Sequence, residues 1–213
     1  MTASKKALVA TIVILSILLI DQVVKIWVKT TMTLGEDIRI TPWFCIRFIE
    51  NDGMAMGIKI IEKIFLTIFR LIASAAIVYY IFLLIRKNFK LSYIIPVSMI
   101  FAGAVGNIID SVFYGVIFSE STYNQVAVLF PPDGGYGNWL HGEVVDMFYF
   151  PLFDFNWPAW IPWVGGGKFE FFRYIFNVAD ASISVGMVIL ILFFRNSLSL
   201  SFEKQEIDKG IEN

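Results

Sequence analysis

The sequence predicts an all-α integral membrane protein, a bundle of four transmembrane helices with a small extracytoplasmic β-rich element and long outer loops. Three observations carry that expectation. Of 213 residues, 57% are apolar and only 16% are charged, against about 25% charged in a typical soluble domain. Four apolar runs have the length of about 20 residues that a bilayer core requires. Basic residues cluster in the flanks of those runs on one side, as the positive-inside rule expects. The same composition excludes a disordered chain, which needs low hydrophobicity and high net charge. Net charge is −1, from 17 basic and 18 acidic residues, so no nucleic-acid partner is expected. Cys45 is the single cysteine, which rules out an internal disulfide framework and a multi-cysteine metal site.

The first run extends from Ala7 to Val28. Residues 7–20 carry no charge, and Asp21 and Lys25 interrupt the outer third. Lys5 and Lys6 precede it as they would a secretory signal, but it ends in Leu18, Leu19, Ile20, Asp21 and Gln22. Those are not the small residues of a cleavage site, so the run reads as a retained helix. Residues 38–49 are β-prone with a break at Pro42, which predicts a short strand pair lying on the membrane. The second run is Ile64 to Ile85, with Arg70 inside it. The third is Leu91 to Phe113, with no charge between Lys90 and Asp110. Residues 131–142 are rich in Gly, Pro and Asn and read as a loop. The segment 147–172 is aromatic and includes Trp157, Trp160 and Trp163. Tryptophan favours the water–lipid interface, so this loop is expected to rest on the outer surface. The fourth run is Tyr174 to Phe194, with Asp180 in its second turn. Residues 1–200 are expected to form one membrane domain, followed by a polar cytoplasmic tail at 201–213.

Orientation follows from the short flanks. Lys5 and Lys6, then Arg86, Lys87 and Lys90, then Arg195, Lys204 and Lys209 mark one side, whereas the third connection has only Lys168 and Arg173. Both termini and the middle loop are therefore assigned to the cytoplasm, and the outer loops 29–63 and 114–173 to the other side. The cations of the first outer loop, Lys29, Arg39, Arg47, Lys59 and Lys63, are interleaved with acids.

Polar groups inside a membrane are costly and are functional candidates by default. At about 1.5 Å of rise per residue, Asp21 lies roughly 21 Å along helix one, and Asn107 and Asp110 roughly 24 and 28 Å along helix three. Asn177 and Asp180 lie only about 5–9 Å into helix four from its outer end. All fall in the outer third of a core about 30 Å thick. Asp21 and Lys25 are four apart and can neutralise each other on one face, or shape the site. Asn107 and Asp110, three apart, follow Gly103 and Gly106, and such small residues permit close helix packing. Support is the expected role of Asp110. Asp180 has no basic residue within four positions, so function is the better reading there. His141, the sole histidine, is read as an incidental loop residue and Cys45 as a packed one.

A serine or cysteine triad needs a base that one histidine hardly offers, and zinc needs histidine or cysteine clusters. Aspartate is abundant, at Asp110, Asp146 and Asp180. Two carboxylates sharing one proton can activate water and protonate a leaving amine. Composition leaves open which pair would do so. No metal and no organic cofactor is expected.

Five blocks then carry a resemblance. They are Asp21-Gln22-Val23-Val24-Lys25, Asn51-Asp52-Gly53-Met54-Ala55, residues 103–110 from Gly103 to Asp110, Val144-Val145-Asp146, and residues 176–183 from Phe176 to Ile183. In this order they resemble the type II signal peptidases, the bacterial lipoprotein signal peptidases. The resemblance implies four transmembrane helices with cytoplasmic termini in the bacterial inner membrane and an active site on the outer side. It implies an aspartic endopeptidase that removes the signal peptide of a prolipoprotein before its diacylglyceryl-modified cysteine, with lipidated signal peptides and membrane lipids as partners. It implies Asp146 and Asp180 as the catalytic dyad, and Asn51, Gly53, Asn107, Asp110 and Asn177 as residues shaping the substrate site. Asp21 and Lys25 are added to that set, and the protein is expected to act as a monomer. Ser111 stands where the family has an arginine, and Arg173 is a candidate substitute. The stretches flanking Asp146 are longer than the family's usual ones.

Two other readings compete. A proton-coupled transporter or channel subunit would relay protons through Asp21, Asp110 and Asp180. It requires polar residues through the whole membrane depth, whereas the inner halves of the four runs are nearly free of acids. A non-catalytic assembly protein explains the helices but not the layer of aspartates.

Overall fold

The computed structural model describes residues 1–51 and 59–195. Gly53 and the tail at 201–213 lie outside the described residues. The chain forms two compact units. One comprises residues up to Gln22, Leu66–Ile108 and the chain from Val178; the other comprises Val23–Phe65 and Ile109–Asn177.

Helices dominate the first unit. Helix α1 (Ala3–Thr31) contributes its N-terminal part, and it is joined by most of α2 (Lys59–Arg86), by α3 (Leu91–Ile109) and by α5 (Val178–Phe193). Three helices among the described residues are long and apolar enough to cross a membrane: Ala3–Thr31, Ile64–Arg86 and the continuous stretch Leu91–Ile117. The fourth expected span is shorter than 174–194. Residues 175–176 are extended instead, and the helix begins at Val178. Its 16 residues measure about 24 Å. Asn177 therefore precedes the helix, and Asp180 occupies its first turn, not its second.

This unit is apolar outside and holds several polar side chains inside. Leu15, Leu19, Ile72 and Leu192 are exposed, whereas Asp21, Thr67, Ser98, Asn107 and Ser182 are buried. That arrangement is costly in water and suits a hydrocarbon solvent, where polar groups must find partners within the protein. Ala10, Ile81, Leu84, Tyr93, Ile94, Val97 and Leu190 form the apolar core. Two glycines set the approach of α3 to α5. A Cβ at Gly103 would lie 2.3 Å from the Ala179 carbonyl oxygen, and one at Gly186 would lie 2.7 Å from that of Pro96. At one end of the unit, Lys6 Nζ donates to Asn88 Oδ1 and to the Phe89 carbonyl, each at 2.6 Å. The N-terminus and the α2–α3 turn thus share an end of this unit.

A sheet is the frame of the second unit. Strands β1 (Asp37–Thr41), β2 (Phe44–Asn51), β3 (Val144–Tyr149) and β6 (Ile175–Phe176) pair in the order β1-β2-β3-β6, each pair antiparallel. The expected strand pair over 38–49 is β1 and β2. A separate hairpin of β4 (Phe153–Asn156) and β5 (Lys168–Phe171) is registered from Phe153 with Phe171 to Asn156 with Lys168. The expected small β element accompanies the helices and comprises six strands among the described residues. Val28, Met32, Phe48, Tyr114, Phe118, Ala127, Val145 and Met147 form the core of this unit. The outer loops are also shorter than expected, since residues 29–31 continue α1 and 59–63 belong to α2.

Past Ile109 the third helix widens into a π turn, Asp110–Tyr114, and closes with one last turn, α4 (Gly115–Ile117). A π turn leaves carbonyls of the ordinary helical ladder without their partners. Loop 130–142 supplies replacements. Gly142, Leu140, Gly137 and Phe130 donate to the carbonyls of Ser111, Val112, Gly115 and Ile117 at 2.9, 3.2, 2.7 and 2.7 Å. A Cβ at Gly142 would fall 1.9 Å from the Asp110 carbonyl oxygen, so this close approach requires glycine.

Candidate active site

In the second unit, Asp146 is buried at the middle of β3, flanked by β2 and β6. The hydropathy reading placed it in a loop; the pairing of β3 on both sides corrects this. Its Oδ1 accepts from Asn177 Nδ2 at 2.7 Å and its Oδ2 from Asn51 Nδ2 at 3.2 Å. Asn177 also donates to the Val145 carbonyl at 3.2 Å. Asn51 ends β2 and Asn177 directly follows β6, so the neighbouring strands deliver both carboxamides to the carboxylate between them.

Asp110 of the same unit is fully buried, with Lys25 Nζ at 2.8 Å from its Oδ2, and Lys25 is equally buried. The Val145 amide donates to the same oxygen at 3.3 Å. Lys25, read from the sequence beside Asp21, thus also stands beside Asp110. A second buried pair lies nearby in the sequence. Lys29 contacts Glu50 and also reaches Ser121 Oγ at 2.8 Å, and its ammonium stands 5.0 Å from the Tyr136 ring centroid. Sequence reasoning counted Lys29 among loop cations; in fact it is fully buried in the last turns of α1. The signal that would have found it is the acid Glu50, adjacent to the candidate Asn51. Burial pushes the Tyr136 phenol up, so it stays protonated, while its oxygen accepts from the Glu143 amide at 2.7 Å.

Within the first unit, Asn107 Nδ2 donates to Asp180 Oδ1 at 2.8 Å. Asp21 is fully buried and its Oδ1 accepts from the backbone amide of Ala179 at 2.9 Å. Ala179 is the second residue of α5, where a helix has amides without intrahelical partners and carries partial positive charge. Asp21 thus caps the helix that carries Asp180. Gln22 completes the arrangement, donating to Asp21 Oδ2 at 3.1 Å and to the Gly106 carbonyl at 3.3 Å. A Cβ at Gly106 would come within 2.7 Å of Asp21 Oδ2, so the Asp21 site depends on that glycine.

The remaining candidates are peripheral. His141 bonds the Trp139 carbonyl within its own loop at 2.8 Å. Burial and then the Asp37 carboxylate push the Cys45 thiol up, which makes it a poor nucleophile. Arg173 is exposed. No cluster of three metal-ligating side chains occurs among the described residues.

These features define an apolar, helical membrane protein in which a buried and a half-buried aspartate, Asp146 and Asp180, each accept from asparagine carboxamides. Residues 13–195 match the family described as signal peptidase (SPase) II, and the chain belongs to that family. It is 48% identical over 207 residues to the lipoprotein signal peptidase of Porphyromonas gingivalis, covering 96% of this chain and 90% of the relative. With the lipoprotein signal peptidase of Amoebophilus asiaticus the identity is 35% over 194 residues, 88% of this chain and 78% of the relative. Two solved structures described as bacterial membrane enzymes are similar in fold. One has a TM-score of 0.58 at 26% identity, covering 86% of this chain and 90% of that one. The other has a TM-score of 0.60 at 25% identity, covering 90% of each. Membership in a peptidase family decides against the transporter reading.

Proposed function

We propose that this protein removes the signal peptides of lipoprotein precursors, cutting before the lipidated cysteine, with Asp146 and Asp180 as an aspartic dyad. The observation that carries this reading is that each of the two aspartates receives an asparagine carboxamide, Asn177 and Asn51 on Asp146 and Asn107 on Asp180. A carboxamide orients a carboxylate without the strong bias toward ionisation that a cation imposes. A pair able to share one proton needs that freedom.

In the proposed reaction one aspartate is ionised and takes a proton from water as the water oxygen attacks the scissile carbonyl carbon. The other, protonated, donates to the carbonyl oxygen, and a tetrahedral diol forms. The diol then collapses. The carbon–nitrogen bond breaks, a proton passes to the departing amine of the lipidated cysteine, and the carboxyl of the signal peptide is left behind. The two carboxyls titrate as a unit, and each macroscopic step belongs to the pair. Water and two carboxylates account for every atom transferred, so neither metal nor organic cofactor has a task. Asp21 acts by capping α5 beneath Asp180, and Asp110 with Lys25 fixes the helix end and the β3 backbone beside Asp146.

In the same reading α5 is a fourth span, the protein is a monomer of the bacterial inner membrane with cytoplasmic termini, and the site opens on the outer side. Impermeant thiol labelling of Lys87→Cys and Asp133→Cys in a Cys45→Ala background tests the topology, since the two should label from opposite faces. The decisive experiment is cleavage of a lipidated signal peptide by purified protein. Asp146→Asn and Asp180→Asn should each abolish it while melting stays near that of the parent. Near-normal turnover in either folded variant would remove that residue from the dyad.

A further inference from the structure

The β4–β5 hairpin ends in a tip that the proposed chemistry does not use. Residues 157–167 read Trp-Pro-Ala-Trp-Ile-Pro-Trp-Val-Gly-Gly-Gly and carry no charge. Its three tryptophans are not equivalent. Trp157 packs at the root, with its ring centroid 5.0 Å from that of Phe155 and 5.8 Å from that of Phe169. Trp160 and Trp163 point away, 81% and 100% exposed. A fully exposed indole offers a large apolar surface to water, and an isolated tip of this kind marks an interaction site.

The backbone of the tip is closed on itself. Two bonds close the neck, Trp157 N donating to the Gly167 carbonyl and Gly166 N to the Trp157 carbonyl, both at 2.9 Å. Inside the loop, Gly165 N donates to Ile161 at 2.9 Å, Gly167 N to Val164 at 3.0 Å and Ile161 N to Pro158 at 3.1 Å. Amides already satisfied internally can enter an apolar layer without losing hydrogen bonds to water. Trp163 is held outward at φ 78°, a backbone region that a bulky residue seldom adopts. The charges begin only at the base of the hairpin. There Lys168 lies 2.8 Å from both Asp154 and Glu170.

We propose that this tip is a membrane anchor: Trp160 and Trp163 enter the interfacial layer of the lipid bilayer, and the Asp154–Lys168–Glu170 cluster stays at the level of water and headgroups. The occupant is lipid because the tip joins an uncharged apolar end to a charged base, as an interfacial layer demands. Tryptophan, apolar in its ring and able to donate from its indole N–H, is the side chain that such a layer favours. Three helices of this chain are also long and apolar enough to cross a bilayer, so a bilayer is at hand. If the peptidase reading holds, on which this consequence rests, the anchor keeps the hairpin on the lipid surface that delivers the substrate.

The test uses the full chain with Cys45→Ala, carrying an environment-sensitive fluorophore at Trp163→Cys, at Trp160→Cys or, as a control in a polar loop, at Asp133→Cys. Each is reconstituted into phosphatidylcholine–phosphatidylglycerol vesicles with brominated acyl chains. Labels at 160 and 163 should shift to the blue and be quenched several-fold more than the label at 133. Equal quenching at 163 and 133 overturns the anchor. So does shielding of 163 that arises only when a lipidated peptide is added, or only as protein density in the vesicle rises, since either outcome assigns the tip to a protein partner. The double variant W160S/W163S, altered only at exposed positions, should melt like the parent. It should raise KM a few-fold in vesicles with kcat unchanged, and leave both constants unchanged in detergent. The labelling arm reads insertion without any cleavage, so failure of the anchor and failure of the peptidase reading give different results.

Discussion

Asp110 and Asp146 belong to the same unit, and both are buried, yet their partners differ in kind. Asp110 faces the ammonium of Lys25 at 2.8 Å. Asp146 receives the carboxamides of Asn177 and Asn51 at 2.7 and 3.2 Å. A buried carboxylate beside a cation is held ionised, because neutralising it would leave the cation uncompensated. A carboxylate held by amides is equally well oriented but can still exchange a proton. Burial alone therefore does not distinguish the two, and the chemical type of the donor is the difference on which their proposed roles rest.

The sharpest way to break that comparison is to make the same substitution at both sites. Asp146→Asn should lower cleavage of a lipidated signal peptide by about 10³-fold or more, with melting little changed. Asp110→Asn should do the reverse, lowering melting first and activity only as the site loosens. Complete loss of turnover with unchanged melting in Asp110→Asn would exchange the two roles. Next in size is Lys25→Met, which removes the ammonium from the buried Asp110 carboxylate. Breaking such a pair costs about 3–5 kcal/mol, which should appear as a lower Tm in detergent.

A smaller effect is expected of Asn177→Ala, which removes one donor from Asp146. A hydrogen bond to a charged group contributes about 1.5–3 kcal/mol. If that is felt wholly in the transition state, cleavage falls about 10–100-fold, and Asn177→Asp should not rescue it. A parental rate in Asn177→Ala would show that β2 and β3 orient Asp146 without help.

The smallest effect concerns charges exposed to water. Lys168 holds the Asp154 and Glu170 carboxyls below their ordinary range, through its hydrogen bonds first, and they in turn raise the Lys168 ammonium. Depressed carboxylates contribute above their unfolded pKa of about 4 and lose that contribution as pH falls through the lower folded values. The raised lysine contributes below its unfolded pKa of about 10.4 and loses its share as pH rises beyond that. Hydrogen exchange in β4 and β5 should thus be constant from about pH 5 to 10, after correction for the intrinsic rate, and quicken slightly in acid. A hairpin indifferent to acid would mean that its aromatic pairs, such as Phe153 with Phe171 at 4.6 Å, suffice.

The sequence by itself determined the membrane class, the positions of the long helices and the strand pair at β1 and β2. Those features are written in local composition and period, which a window of ten or twenty residues captures. It also determined that Asp21, Asn107 and Asp180 deserved scrutiny, because a polar group in an apolar run needs a reason. Tertiary structure alone decided what each of them touches. Lys25 stands beside Asp110, 85 positions away in the chain. Asp21 caps α5 through an amide 158 positions away. Asp146 sits in a strand and not a loop, because β2 and β6 pair with β3 from distant parts of the chain. The α5 helix starts late because residues 175–176 join that sheet. Hydropathy is a sum over neighbours in sequence, whereas hydrogen bonds and ion pairs form between neighbours in space, and in this site most of those neighbours come from far along the chain.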